Sequence, residues 1–312
     1  MKRERLARLP LVRLIDEFLT YQELYRRPKT VEHTRYGLSI FLKFCQTAGV
    51  AQLREIDAVH VQRYLLYLKQ KYANPSTAWS ITCDFRAFQS WLVENGYLTK
   101  PWLERFPPRP KPLPRPLGPE DVKRILDATE GKDWLTARNR AIIITLLETG
   151  LRRGELLQMK VCHVRNRGGF VYQKGERPHS FILSRQALLA IKRYQNLAME
   201  QAGVTFEDDE SPLWYGARGP LTASGLQIAL RKIGKSIGVR LWAHRLRATC
   251  ATARLESGAS TELVRSLLGH VDPESIRSYV AIVNERLRDQ IEATSPLKWV
   301  ENQSGKRKRG NR

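Results

Sequence analysis

Two arginines directly follow an apolar run near the middle of the chain. The stretch AIIITLLETGLRRGEL, residues 141–156, places Arg152 and Arg153 at the end of a segment whose composition is typical of a core. Because burying an unpaired guanidinium costs several kcal/mol, an arginine that faces inward here needs an anionic partner. One of the pair can point into solvent. If the other arginine faces inward, it needs an anion that the chain either supplies or binds.

Five further side chains with reactive or ionisable groups occur later in the chain. His244 and Arg247 are three residues apart in LWAHRLRATC, so a helix there places both on one face. His270 follows a glycine in SLLGHVDPES, and Tyr279 comes nine residues later. Lys174 lies in the turn-forming stretch KGERP. Taken singly, each has an ordinary interpretation as a solvated helix face, a surface cation or a tyrosine at the rim of a core.

Apolar periodicity predicts a mainly helical protein with a small β-sheet. A proline-rich stretch, PPRPKPLPRPLGPEDV, blocks helix formation and favours an extended linker. The chain therefore divides into a helical domain at 1–106, a linker at 107–118, a second domain at 119–300 and a basic tail at 301–312. The first domain is expected to hold helices near 11–25, 30–48, 56–72 and 75–95. In the second, helices are expected near 119–129, 133–148, 185–199, 222–237, 243–258, 261–268 and 273–283, with a hairpin formed by 170–173 and 180–183.

The charge indicates a polyanionic partner for both domains. The formal net charge is +22. Residues 1–118 hold 20 lysines and arginines against 10 acidic residues, and residues 119–312 hold 33 against 21, so the excess is not confined to one tail. This balance favours nucleic acid, although a ribosomal or membrane-surface protein has a similar one. The basic cluster RKIGKSIGVRLWAHR, residues 231–245, is the best candidate for contacts with phosphate.

Membrane insertion, disulfides and a metal centre are not expected. No apolar run approaches the roughly 18 residues of a membrane span, and the basic and acidic start of the chain lacks the apolar stretch of a signal peptide. These features predict a cytoplasmic protein. The four cysteines are widely spaced, which predicts reduced thiols rather than a metal or disulfide framework: Cys45, Cys83, Cys162 and Cys250. No cofactor is expected.

The order of these motifs resembles the tyrosine recombinase family, which includes the phage integrases and the Xer-type recombinases. TGLRRGEL is followed by a hairpin lysine, then H-x-x-R, LLGH and a tyrosine nine residues further on, as in that family. The resemblance implies a helical core-binding domain and a catalytic domain. It implies six catalytic residues: Arg152, Lys174, His244, Arg247, His270 and Tyr279. It also implies that Arg153 faces solvent and that Glu155 helps to hold the site.

By the same resemblance, the protein is a site-specific recombinase that acts on double-stranded DNA without a metal. The tyrosine is expected to form a link to the 3′ phosphate and to release a 5′ hydroxyl, after which strands are exchanged through a Holliday junction. Four copies are expected to assemble on two sites, with contacts made by the segment after the tyrosine, 284–300. Accessory proteins that set direction are possible partners. A protein with this substrate is expected at the nucleoid.

Several alternatives stay open on the sequence alone. Many family members have a second histidine after the H-x-x-R arginine, where this chain has Ala248. Lys160 lies near enough to the hairpin to compete with Lys174 as the catalytic lysine. A type IB topoisomerase has the same chemistry, and a catalytically idle DNA-binding regulator has the same fold. The target sequence, the genetic element served and the choice between cleavage in cis and in trans do not follow from the sequence.

Overall fold

A computed structural model describes residues 9–110, 114–173, 176–269 and 277–284 of the chain. Its internal contacts divide the chain into two compact units, Met1–Pro112 and Leu113–Arg312. The division falls within the proline-rich stretch. None of the helices in these described ranges is long and apolar enough to cross a bilayer.

The first unit is helical throughout its described part. Its helices are α1 (Leu11–Tyr25), α2 (Pro28–Thr47), α3 (Ala58–Lys71) and α4 (Pro75–Glu94), with a single 3₁₀ turn at Leu53–Glu55. The four predicted helices are confirmed to within two residues at each end. Asp57 accepts a hydrogen bond from the backbone N–H of His60, and Asn74 accepts one from Ser76, so both predicted N-caps are present.

A cluster of aromatic rings lies in the core of the first unit. Phe41 lies 5.0 Å from Tyr64 and 4.7 Å from Phe85, measured between ring centroids. All three rings are buried, and they join α2, α3 and α4. Rings at these separations stabilise the packing beyond the area they bury.

The second unit is built around one long buried helix. Its helices are α5 (Pro119–Asp127), α6 (Trp134–Thr149), α7 (Arg153–Leu156), α8 (Val161–Arg165), α9 (Arg185–Ala202), α10 (Ala223–Ser236), α11 (Ala243–Glu256) and α12 (Thr261–Leu267). The segment 277–284 is also helical. Helix α6 buries Ile142, Ile143 and Leu146 completely, and it packs mainly against α9 and α11.

Two small antiparallel sheets complete the second unit. Strands β1 (Gly168–Tyr172) and β2 (Pro178–Ile182) form the predicted hairpin, in a register that pairs Gly168 with Ile182 and Tyr172 with Pro178. Strands β3 (Tyr215–Gly216) and β4 (Gly219–Pro220) form a second, shorter hairpin. The mainly α fold with a small β-sheet is therefore confirmed.

The structure differs from the sequence prediction in its shortest elements. Helices α7 and α8 and the hairpin β3–β4 were not predicted. Each of these elements has two to five residues, which is too few to give a periodic pattern of apolar residues. The predicted helix 273–283 is described, and is helical, only from residue 277. The basic tail 301–312 lies outside the described residues.

Candidate active site

Arg152 lies just after the C-terminal end of α6. Gly150 ends the helix with a positive φ of 64°, a conformation that favours glycine. A Cβ atom at this position would lie 2.6 Å from Leu268 Cδ2, so a larger residue would also require the Leu268 side chain to shift. Leu151 is then buried, and Arg152 immediately precedes the short helix α7.

Glu155 is the anionic partner that Arg152 requires. Its carboxylate accepts hydrogen bonds from the backbone N–H of Arg152 at 2.8 Å and from Arg152 Nη1 at 2.7 Å. Only 3% of the Glu155 side chain is exposed, whereas 41% of the Arg152 side chain is. The buried Glu155 carboxylate thus holds Arg152 in place, and part of the Arg152 side chain remains exposed to solvent. Arg153 is exposed as predicted, and its Nη1 donates to Gln227 Oε1 at 3.2 Å.

The Glu155 carboxylate also lies close to His179 and Arg247. Glu155 Oε2 lies 3.2 Å from Nδ1 of the buried His179 and 4.0 Å from Arg247 Nη1. Burial alone would raise the pKa of the Glu155 carboxyl, but hydrogen bonds from His179 and Arg152 outweigh burial and lower that pKa to about 2. Glu155 is therefore a carboxylate at neutral pH, and it lies between Arg152 and Arg247.

Arg247 is fully buried and is held by the ends of two helices. Its Nη1 donates to the carbonyl of Gly150 at 2.5 Å, and its Nη2 donates to the carbonyl of Leu268 at 2.6 Å. These carbonyls follow the last turns of α6 and α12, where unpaired acceptors and the helix dipole favour a cation. Burial, and then the charge of Arg152, lower the pKa of Arg247 to about 10, so it stays charged at pH 7. Its buried Nε has no hydrogen-bond partner among the described residues.

His244 lies one helical turn before Arg247 on α11. The residue is exposed at the surface. Although the residue reaches the surface, the surrounding protein atoms desolvate its ring and lower its pKa, and the positive charges of Arg247 and Arg152 lower that pKa further. A neutral imidazole is therefore favoured at pH 7, and it can accept a proton as well as donate a hydrogen bond.

Tyr279 lies in the helical segment 277–284 and is 3% exposed. Burial raises the pKa of its phenol, and the charges of Arg247 and Arg152 partly offset this rise. Its apolar neighbours form one cluster: Ala248, Ala251, Val264 and Leu268. The charges of Arg152 and Arg247 thus act on both His244 and Tyr279, two of the other expected catalytic residues.

The other two expected catalytic residues, Lys174 and His270, lie outside the described residues. Their described neighbours in sequence, Gln173 and Gly269, are joined by a hydrogen bond from Gln173 Nε2 to the Gly269 carbonyl at 3.0 Å. Lys160, the competing lysine, forms an ion pair with Glu210 in the acidic loop 206–210. The hydrogen bond to Glu210 raises the pKa of Lys160, which makes it a weaker acid.

His179 is part of this site and was not predicted from sequence. It lies on β2 and is 3% exposed, with Nδ1 towards Glu155 and Nε2 3.0 Å from the carbonyl of Leu267. The signal was present in the strand pattern, because alternation places His179 on the same buried face as Phe181. A polar residue at a buried strand position needs partners, and here the partners belong to the active site.

The buried carboxylate gives a first testable result. Glu155→Ala leaves Arg152, His179 and Arg247 without their shared anion, and removal of one partner from a buried ion pair typically destabilises a protein by about 3–5 kcal/mol. Urea unfolding at pH 7 measures this loss. Glu210→Ala, which removes only the exposed partner of Lys160, should leave the unfolding midpoint nearly unchanged.

The contribution of Glu155 to the free energy of unfolding is expected to decrease as the pH is lowered. Because folding lowers the pKa of Glu155, its contribution to stability is complete above pH 4.5, the ordinary value for a glutamate, and is lost as the pH falls towards 2. The stability difference between the wild type and Glu155→Gln should therefore shrink as the pH is lowered through this window. A difference that stays constant from pH 5 to pH 2 would contradict the role given to the carboxylate.

Comparison with known proteins places this chain in a family. The sequence profile of the phage integrase family matches residues 115–286. Tyrosine recombinase XerC of Halalkalibacterium halodurans is 27% identical over 299 residues, covering 90% of this chain and 97% of that protein. Tyrosine recombinase XerA of Pyrococcus horikoshii is 25% identical and covers 92% of this chain and 95% of that protein.

Solved structures share the fold. XerH recombinase bound to a palindromic difH substrate in a post-cleavage complex has a TM-score of 0.68 at 21% identity, covering 86% of this chain and 80% of that chain. A lambda integrase tetramer bound to a Holliday junction has a TM-score of 0.69 at 18% identity, covering 87% and 77% of the two chains. Since the family profile spans more than half of the sequence and includes the residues from Arg152 to Tyr279, the chain belongs to the phage integrase family and is a tyrosine recombinase.

Proposed function

We propose that this tyrosine recombinase cuts one DNA strand when the phenolic oxygen of Tyr279 attacks a backbone phosphorus. A bond forms between Tyr279 Oη and the phosphorus, the bond from phosphorus to the 5′ oxygen breaks, and Lys174 gives that oxygen its proton. The observation that carries this proposal is the arrangement around Glu155. One buried carboxylate holds Arg152 and lies 4.0 Å from Arg247, and the charges of both arginines act on Tyr279.

The two guanidinium groups suit the transition state of this reaction. A pentacoordinate phosphorus carries more negative charge on its nonbridging oxygens than the starting diester does. Arginine is always charged and presents planar, paired donors to such oxygens. His244 and His270 would add hydrogen bonds to the same centre, and a neutral His244 could accept the tyrosine proton. These positioned charges supply the electrostatic stabilisation that the attack needs.

A phenol is a suitable nucleophile for a reversible cut. The phosphotyrosine link keeps the energy of the broken diester, so a 5′ hydroxyl from a second strand can attack it and release Tyr279 without a nucleotide cofactor. We therefore propose strand exchange between two DNA sites through a Holliday junction. The structure of lambda integrase as a tetramer on such a junction supports the same assembly of four copies here.

The basic surfaces are proposed to bind duplex DNA. The exposed side chains of Arg231, Lys232, Lys235 and Arg240 cluster on and after α10. Phosphate contacts from such a cluster give affinity that falls steeply with salt. We propose that the first unit is the core-binding domain and that the second is the catalytic domain. Such a protein would act in the cytoplasm at the nucleoid, with accessory proteins as possible partners.

One sequence of experiments separates this function from its rivals. Sequencing the DNA that is crosslinked to the protein in cells would identify the target site. Two copies of that site are then incubated with the protein. A recombinase gives joined products at the site, a type IB topoisomerase gives relaxation with little sequence preference, and an idle regulator gives no covalent complex.

The two neighbouring arginines give a matched pair of variants. Arg152→Lys keeps the charge but replaces the planar fork that Glu155 holds, so cleavage should fall by about 10²–10³ while DNA binding changes little. Arg153→Lys loses only an exposed contact with Gln227 and should be nearly silent. Single-turnover cleavage and a mobility-shift titration measure the two effects. If both variants cleave equally well, Arg152 is not the arginine that contacts the phosphate.

A further inference from the structure

The imidazole of His179 connects two parts of the active site that are far apart in sequence. Its Nδ1 lies 3.2 Å from Glu155 Oε2, and its Nε2 lies 3.0 Å from the carbonyl of Leu267, the last residue of α12. The residue is buried on strand β2. One ring therefore joins the short helix α7 to the end of α12.

At the first of these contacts, Glu155 holds Arg152. The oxygen that faces His179, Oε2, also accepts the backbone N–H of Arg152 at 2.8 Å, and Oε1 accepts Arg152 Nη1 at 2.7 Å. Because both oxygens are bonded to Arg152, a rotation of the carboxylate would move the guanidinium. The contact with His179 restrains that rotation.

At the second contact, the end of α12 holds Arg247. Leu267 O faces His179, and the next carbonyl, Leu268 O, accepts Arg247 Nη2 at 2.6 Å. The last carbonyls of a helix have no partner within the helix, so donors from outside the helix stabilise them. A shift of this turn relative to β2 would therefore displace an acceptor of Arg247.

The two partners of His179 require donors at both ring nitrogens. Glu155 is a carboxylate at neutral pH and a carbonyl oxygen has no proton, so both partners can only accept a hydrogen bond. When both bonds form, the ring donates from two nitrogens that point in different directions. A glutamine carries its donors on a single nitrogen, so it cannot reproduce the span of the ring.

Strand β2 fixes the backbone from which the ring extends. His179 is paired with Val171 in the register of the β1–β2 hairpin, and Phe181 follows it on the buried face of the strand. Val171 and Phe181 both belong to the core of the second unit. The position of the imidazole is therefore fixed by core packing as well as by its own hydrogen bonds.

We propose that His179 is a positioning residue that sets the separation of the Arg152 and Arg247 guanidinium groups. The inference rests on the proposed function, in which both arginines stabilise the charge on one phosphorus centre. Such donors are effective only when they are held where the charge develops. A displacement of about 1 Å can cost about 10²-fold in rate. His179 prevents this displacement because it joins the carboxylate that holds Arg152 to the helix end that holds Arg247.

The test uses a substrate that needs less positive charge from the enzyme. In a methylphosphonate, a methyl group replaces one nonbridging oxygen of the scissile phosphate, so the phosphorus centre carries one negative charge less. His179→Gln should cut ordinary DNA about 10²-fold more slowly than the wild type, because the guanidinium groups are displaced. On the methylphosphonate it should be nearly as fast as the wild type is on that substrate. Arg152→Ala should show the same selective relief, since the group that it lacks stabilises the missing charge.

The measured quantity is the ratio of the methylphosphonate rate to the ordinary rate under single-turnover conditions. The two diastereomers are measured separately and the larger ratio is taken, because the methyl group replaces a different oxygen in each. A smaller fraction of folded protein lowers both rates by the same factor, so a folding defect alone leaves this ratio unchanged.

His163→Gln is the matched control. The His163 ring contacts the same strand, with 5.3 Å between its centroid and that of Phe181, and its Nδ1 accepts from the Lys160 N–H at 3.0 Å. None of the hydrogen bonds among the described residues joins His163 to Glu155. The ratio for His163→Gln should therefore equal that of the wild type.

The outcomes separate this inference from the function on which it rests. A raised ratio for both Arg152→Ala and His179→Gln, with an unchanged ratio for His163→Gln, supports the positioning role. A raised ratio for Arg152→Ala with an unchanged ratio for His179→Gln overturns the positioning role alone, and so does a ratio raised equally by His163→Gln. An unchanged ratio for Arg152→Ala overturns the role of Arg152 at the phosphate, and the inference about His179 falls with it.

Discussion

Replacement of Tyr279 by phenylalanine is expected to abolish the covalent protein–DNA complex and to leave DNA binding intact. The change removes only the phenolic oxygen, which is the proposed nucleophile. The aromatic ring that packs against Ala248, Ala251 and Leu268 remains, so the fold should be kept. Denaturing electrophoresis with labelled DNA measures the adduct, and a mobility shift under native conditions measures binding.

Two controls make this result specific. Tyr172→Phe removes the hydroxyl of an exposed tyrosine on β1 and should leave the amount of adduct unchanged. A chelator should not prevent cleavage by the wild type, because the proposed chemistry draws its charge and its proton from side chains. An adduct formed by Tyr279→Phe would show that another group is the nucleophile. Loss of cleavage in chelator, with binding retained, would mean that the proposed chemistry is wrong.

The long helices could be predicted because their burial repeats along the sequence. Helix α1 buries Leu11, Leu14, Ile15, Phe18 and Leu19, which is the spacing of one helical face. Asp57 and Asn74 marked two helix starts because short polar side chains bond to the free N–H groups of a first turn. Local patterns of this kind need no knowledge of the rest of the fold.

The contacts that complete the site could not be predicted in the same way. His179 and Gln173 bond to backbone carbonyls that lie 88 and 96 residues away in sequence. A carbonyl is present in every residue, so the sequence carries no signal for which one is bound. The role of Glu155 was expected from the family resemblance, but its contact with His179 depends on tertiary packing that no local pattern encodes.

The second large effect is expected at Lys174. The departure of an alkoxide from phosphorus requires a proton, and a positioned general acid typically contributes a factor of about 10²–10⁴. Lys174→Ala should therefore cut ordinary DNA slower than the wild type by a factor in this range. A substrate with sulfur in place of the bridging 5′ oxygen should restore its rate to nearly that of the wild type, because a thiolate departs without a proton.

Selective rescue distinguishes the acid from the residues that stabilise charge. Arg152→Ala loses contacts with the nonbridging oxygens, which are the same in both substrates, so it should stay slow on both. Lys160→Ala should cut both substrates normally, since the ammonium of Lys160 is engaged by Glu210 and the pKa of Lys160 is raised by that bond. If sulfur instead restores Lys160→Ala, and Lys174→Ala stays equally slow on both substrates, then Lys160 is the acid. It would then have to exchange Glu210 for the leaving oxygen when DNA binds, and Glu210→Gln should accelerate cleavage because the exchange would no longer break an ion pair.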